Sequence, residues 1–104
     1  MLERINSKEE LAPRMQFYEG QGRLIVLMFF RHEKIAPWLE RRAQGREPKE
    51  VAFLMVDMDE CHGVEEEWRI QHVPTFVYLK DGAEVFRMVG ADMAKVAGMI
   101  EKYS

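Results

Sequence analysis

Cysteine, long apolar runs and an excess of basic charge are all scarce in this sequence. Cys61 is the single cysteine among 104 residues, so no disulfide can close within the chain, and a mechanism that needs two thiols in one molecule is excluded. The longest unbroken apolar run, Leu24–Phe30, is far too short to span a bilayer. The N-terminus, MLERINSKEE, is charged at once and lacks the apolar core of a secretory signal. These absences favour a cytoplasmic protein with no membrane partner.

The composition is typical of a globular protein. Hydrophobic residues make up 47% of the chain, charged residues make up 32%, and the net charge is −3. This balance gives no reason to expect a nucleic acid or an anionic membrane as a partner. No repeat or linker divides the sequence, and its length suits one domain. We therefore expect a single domain over residues 1–104, present as a monomer or a weak homodimer.

Apolar runs alternate with amphipathic segments along the chain. Strands are predicted at Leu2–Ile5, Leu24–Phe30, Val51–Val56 and Thr75–Leu79, and the alternating run Ala83–Val89 completes a hairpin on an Asp-Gly turn. Helices are predicted after a Ser7–Glu10 capping box, from about Glu33 past Pro37 with Ile35, Trp38 and Leu39 on one face, from Asp59 to about Ile70, and after Asp92. The pattern predicts an α/β domain, with a central mixed β-sheet flanked by helices in the order βαβαβαββα.

This order carries three motifs: VDMDEC ahead of the third helix, VPTFVYLKDG across the hairpin, and VGAD before the last helix. Together they resemble thioredoxin over nearly the whole chain, which implies the thioredoxin fold. In that family a Trp-Cys-Gly-Pro-Cys loop follows the strand that matches Leu24–Phe30. Here only six residues lie between Phe30 and Pro37, and Met28 stands where active members bury an aspartate. We therefore expect no catalytic residues and a chain that is not an enzyme.

The resemblance also implies a binding groove. Val73-Pro74 resembles the cis-proline segment that lies beside a bound peptide in thioredoxins, and Gly90-Ala91 resembles the small-residue loop opposite. His72 precedes the first segment and His32 lies at the shortened junction, so both are expected at the groove, although two ordinary surface histidines are the simpler interpretation. We expect His32, His72, Val73, Pro74, Gly90 and Ala91 to bind an extended segment of a protein partner.

Cys61 admits two interpretations. A helix N-terminus lowers a thiol pKa and favours a reactive monothiol, whereas the acidic residues around Cys61 favour the neutral form. Cys61 also shares a helical face with Val64 and Trp68, which predicts a packed, inert thiol. The alternative is redox modification, by a mixed disulfide, glutathionylation or a disulfide-linked dimer.

No metal site or cofactor is expected. Asp59, Cys61 and His62 point in different directions on a helix, and no further pair of ligands completes a site. The leading hypothesis is therefore a redox-inactive thioredoxin-like adaptor or complex subunit that binds a protein through the groove. The alternatives are a monothiol regulator that acts through Cys61, and a thioredoxin-type disulfide oxidoreductase in family name only.

Overall fold

A mixed β-sheet forms the centre of the molecule in the computed structural model, which describes residues 2–31 and 51–104. Within these ranges the strands are β1 (Leu2–Ile5), β2 (Leu24–Phe30), β3 (Val51–Asp57), β4 (Thr75–Lys80) and β5 (Ala83–Val89). Their order across the sheet is β1-β3-β2-β4-β5. β1 and β2 run parallel to β3, while β4 is antiparallel to β2 and β5. This arrangement agrees with the strands predicted from the apolar runs.

The two central strands are covered on both faces. Every residue of β2 and β3 is buried, which explains why their sequences are apolar without alternation. Side chains such as Leu27 and Phe29 contribute to a core cluster on one face of the sheet. Met28, Phe53 and Tyr78 belong to a second cluster on the other face. The sheet therefore separates two apolar layers.

Three helices are found in the described part of the chain: α1 (Lys8–Gly20), α2 (Val64–Glu67) and α3 (Met93–Tyr103). α1 and α2 contribute Leu11, Tyr18 and Val64 to the first core cluster. α3 contributes Val96 and Ile100 to the second. The helix predicted from about Glu33 lies outside the described residues. No described helix is long and apolar enough to cross a membrane.

The helix predicted from Asp59 to Ile70 is wrong in length, because α2 is only one turn. The amides of Glu60 and Cys61 donate to the carbonyl oxygen of Asp57, at 3.1 and 2.9 Å, which makes a single turn that does not continue as a helix. Gly63 then adopts a left-handed backbone with φ of 89°, which an α-helix cannot contain. Arg69, with φ of 56°, ends the helical segment on its other side.

The predicted hairpin is confirmed, and its turn is built by two left-handed residues. Asp81 and Gly82 have φ of 52° and 82°, which is the geometry of a two-residue turn that matches the twist of its strands. The turn lies against the end of α1. A Cβ on residue 82 would come within 2.7 Å of Glu19 Oε1, the end of a flexible side chain that can move aside, so Gly82 is favoured mainly by its dihedral angle.

The N-termini of α1 and α3 differ in how they are capped. At α3, Asp92 Oδ1 accepts a hydrogen bond from the Lys95 amide at 3.2 Å. At α1 the predicted capping box is wrong, because the Ser7 side chain makes no capping bond and Glu10 Oε2 instead accepts from the Asn6 amide at 2.8 Å. Asp92 and Ser7 therefore allow the stability contribution of a capping side chain to be compared with that of a side chain that makes no capping bond.

We expect Asp92→Ala to lower the free energy of unfolding by about 1 kcal/mol, since it removes a capping acceptor. Ser7→Ala should lower it by less than about 0.5 kcal/mol, because no capping bond is lost. Urea unfolding followed by circular dichroism measures both values. Equal losses in the two variants would contradict this assignment of the caps.

Candidate functional site

Several strands begin or end at one end of the sheet, which forms an edge made of loops. β1, β2 and β3 are parallel and end there, β4 begins there, and β5 ends there. In the register, Phe29 lies beside Thr75, and Thr75 lies beside Val89. The segment before β4 and the segment after β5 are therefore neighbours. We call His72, Val73, Pro74, Gly90 and Ala91 the loop edge.

Hydrogen bonds hold the two segments of the loop edge together. The Gly90 amide donates to the Pro74 carbonyl oxygen at 2.9 Å, which continues the β4–β5 pairing beyond the strands. Thr75 Oγ1 donates to the His72 carbonyl oxygen and closes a turn around Val73. The peptide bond between Val73 and Pro74 is cis. The loop edge is thus a fixed part of the sheet.

The loop edge offers unused backbone groups and open space. Neither the amide nor the carbonyl of Val73 bonds to another residue in the described part of the chain, and the residue is half-buried. Gly90 has φ of 107°, and no described atom beyond its chain neighbours lies within 4 Å of the position that a Cβ would occupy. His72 and Ala91 are exposed, while Pro74 is buried. An extended segment could therefore approach Val73 without meeting a side chain at position 90.

Five of the six groove residues predicted from the sequence are brought together at this edge. The sixth, His32, lies outside the described residues. Val89, which was not predicted, is 58% exposed beside Gly90 and adds apolar surface to the same edge. Its place in an alternating strand was the available signal, but alternation alone does not show which residue of an edge strand stays uncovered.

Cys61 lies in the core of the folded protein. Its side chain is fully buried, and Sγ donates to the Ile5 carbonyl oxygen at 3.3 Å. Burial, together with the negative charges of Asp57 and Glu60, raises the pKa of the thiol to about 11. Val64 belongs to the same core cluster, and Trp68 packs against it, so the prediction that the thiol points inward is confirmed.

Asp57 is a buried carboxylate that the sequence analysis treated only as a negative charge near Cys61. Its Oδ2 accepts from Arg4 Nη2 at 2.9 Å, and its Oδ1 accepts from the Asp59 amide at 2.9 Å. Arg4 Nη2 also bonds to Glu60 Oε1 at 3.0 Å. The cluster fixes the turn that follows β3. An acid that ends an otherwise apolar strand was the signal that could have found it.

A surface ion pair joins Arg31, which follows β2, to the same turn. Arg31 Nη1 lies 2.8 Å from Asp59 Oδ1, and both side chains are exposed. Within residues 2–31 and 51–104, no three His, Cys, Asp or Glu side chains lie close enough to hold a metal ion. The described part of this edge offers main-chain hydrogen-bonding groups and apolar side chains.

Comparison with known proteins agrees with the fold. The family model for thioredoxin matches residues 32–102. This chain belongs to the thioredoxin family. The thioredoxin of Fasciola hepatica, whose structure is solved by X-ray analysis, superposes with a TM-score of 0.82 at 32% identity and covers 97% of this chain and 98% of its own. The thioredoxin fold expected from the three motifs is confirmed.

Two relatives extend the comparison to plant thioredoxins. Thioredoxin H-type 1 of Nicotiana tabacum is 46% identical over 54 residues, which is 52% of this chain and 43% of that protein. The TPR repeat-containing thioredoxin of Arabidopsis thaliana is 31% identical over 105 residues, covering 96% of this chain and 27% of that protein. The chain thus spans less than half the length of either relative.

The prediction that the chain is not an enzyme is contradicted by these names. The relatives are thioredoxins, which are disulfide oxidoreductases, and no described residue shows that activity has been lost. The inference was wrong in its physical premise as well. It treated the cysteine count of one chain as the limit, whereas thiol–disulfide exchange can be completed by the thiol of a second molecule.

Proposed function

We propose that this thioredoxin-family chain binds an extended segment of a protein partner along the loop edge, and that it serves as an adaptor or as a subunit of a complex. The observation that carries the proposal is the pair of unused backbone groups on Val73. A bound segment would pair with this amide and carbonyl as an added strand, which gains main-chain hydrogen bonds at a prepared position. The cytoplasmic location expected from the sequence is part of the same proposal.

Small and apolar side chains around Val73 suit such a partner. Gly90 leaves the approach open, and Ala91 and Val89 offer apolar surface on the far side. Alternate side chains of the bound segment would contact these residues, because side chains of a strand point in opposite directions in turn. The hydrogen bond from Gly90 to Pro74 means that the two sides need no rearrangement before binding.

The TPR repeat-containing relative supports an adaptor role. In that protein a thioredoxin unit is joined to TPR repeats, and this chain matches 27% of its length. The unit therefore occurs as one module of a larger protein. The alternative of a monothiol regulator has no comparable support, because Cys61 is buried and its thiol pKa is raised.

Substitution of Ala91 tests the proposal. We expect Ala91→Glu to reduce capture of the native partners from cell extract at least about tenfold, since a charged side chain would block the edge at a binding residue. Ala83→Glu is the matched control, because Ala83 is also exposed but lies at the other end of β5. Capture is quantified by mass spectrometry with tagged proteins. Position 91 is preferable to Gly90, whose left-handed φ would strain any side chain.

The two variants and the redox state separate the possible results. Partners that Ala83→Glu retains and Ala91→Glu loses support the loop edge. Full capture by a folded Ala91→Glu variant would show that this edge is not the binding site. Capture only in the absence of reductant would favour a covalent link through Cys61 instead.

A further inference from the structure

A second surface lies between α1 and the segment that follows α2, and it shares no residue with the loop edge. It is a groove of about 600 Å³, with Leu11, Met15 and Trp68 along its apolar floor. We call it the Trp68 groove. Its volume falls in the range of sites that bind ligands, roughly 300–1,000 Å³.

The groove lies where the chain leaves α2. The helix ends at Glu67, and the backbone turns at Arg69. Trp68 then packs beside Phe29, with 5.8 Å between ring centroids. Its indole Nε1 bonds to no residue of the described part, so packing alone holds the ring. Trp68 is half-buried, so its ring contributes apolar surface to the groove.

The rim of the groove is acidic. Glu9, Glu19 and Glu67 line it, and Lys8 is the one basic residue among the described lining residues. Lys8 Nζ lies 3.3 Å from Glu67 Oε2, so its charge is already offset. The remaining carboxylates favour a cationic ligand and repel an acidic one.

The backbone around the groove favours a helical ligand over an extended one. One wall is α1, whose main-chain groups are bonded within the helix, so the wall offers few hydrogen bonds to an extended peptide. A helix satisfies its own main chain and needs only side-chain contact. Ala12 and Gln16 are exposed and one turn apart, and they form a ridge against which a second helix can pack its own ridge.

We propose that the Trp68 groove docks a basic amphipathic helix of a protein partner. Apolar side chains of that helix pack on the half-buried Met15 and Trp68. Its Lys or Arg side chains face the carboxylates of Glu9 and Glu19. Because the groove and the loop edge are separate, binding here is independent of the function proposed above.

The probe is a synthetic, fluorescein-labelled peptide with Leu at i, i+3, i+4 and i+7 and Lys elsewhere, compared with the same peptide carrying Glu in place of Lys. Fluorescence anisotropy at low ionic strength measures both affinities for the full chain. We expect the Leu/Lys peptide to bind at least tenfold more tightly than the Leu/Glu peptide. In the Glu19→Lys/Glu67→Lys variant this preference should reverse, since the sign of the rim charge changes.

Two further measurements tie the binding to this groove. Glu101→Lys changes an exposed acidic residue on α3, so it should leave the Leu/Lys affinity within about twofold of the wild-type value. In a Trp38→Phe background Trp68 is the only tryptophan, and the Leu/Lys peptide should reduce its quenching by acrylamide. Unchanged quenching, equal losses in both charge variants, or equal binding of the two peptides would overturn the proposal. Urea unfolding confirms that each variant is folded.

Discussion

Cys61 in the native protein is expected to react with an aromatic disulfide reagent at pH 8 at least about a hundredfold more slowly than in the denatured chain. The attacking species is the thiolate, and a pKa of about 11 leaves roughly one thiol in a thousand ionised at this pH. The ordinary value of 9.0 would leave roughly one in ten. Full burial slows the reaction further, because the reagent must wait for the structure to open.

The pH dependence of the reaction rate shows whether the pKa of the thiol is raised in the native protein. As the pH rises from 8 to 10, the native rate should increase by roughly tenfold per pH unit, because the thiol stays below its raised pKa throughout. The denatured rate should level off above the ordinary pKa. Cys61→Ser serves as the blank, since it removes the single thiol of the chain. A native rate equal to that of a free thiol at pH 8 would contradict the buried placement.

Replacement of Phe29 by Ala should lower the free energy of unfolding by about 3–5 kcal/mol. Phe29 is fully buried in the first core cluster and packs beside Trp68, so the truncation leaves a cavity that a rigid sheet cannot close. Small domains have roughly 5–15 kcal/mol in total, so this single change removes a large share of the stability. Urea unfolding at 25 °C measures the loss.

Phe17→Ala is the matched control for the same deletion. Phe17 is 51% exposed, and its ring contacts Tyr18 edge-on at 5.2 Å and Arg14 at 5.1 Å. The loss of these surface contacts should lower the free energy of unfolding by less than about 1 kcal/mol. A cost at position 17 similar to that at position 29 would mean that α1 is more deeply packed than described.

The strands of this protein were predictable because their burial is evident from the local sequence. A run such as Leu24–Phe30 has no polar residue, so only a central strand covered on both faces accommodates it. The turn at Asp81 and Gly82 was also predictable from the local sequence. An Asp-Gly pair between two strands favours a two-residue turn, and both residues adopt the left-handed backbone of such a turn. Features of this kind need no knowledge of distant contacts.

The predictions were wrong where the pattern of apolar residues does not determine the backbone. The spacing of Cys61, Val64 and Trp68 suits a helical face, yet Gly63 between them adopts a left-handed backbone and interrupts the helix. The Trp68 groove was missed because it lies between segments that are distant in the sequence. The loop-edge residues came from resemblance to thioredoxins, whereas the bond from Gly90 to Pro74 that joins its two sides is visible only in three dimensions.

The position of β2 in the sheet has a consequence for synthesis on the ribosome. β2 is translated before β3 and β4, but it lies between them in the sheet. While the nascent chain lengthens, the seven apolar residues of β2 therefore stay unpaired until both neighbouring strands are made, and β4 is complete only at Lys80. An unpaired apolar strand is prone to aggregate, so the interval before β4 is made is the one in which this chain is most exposed to aggregation.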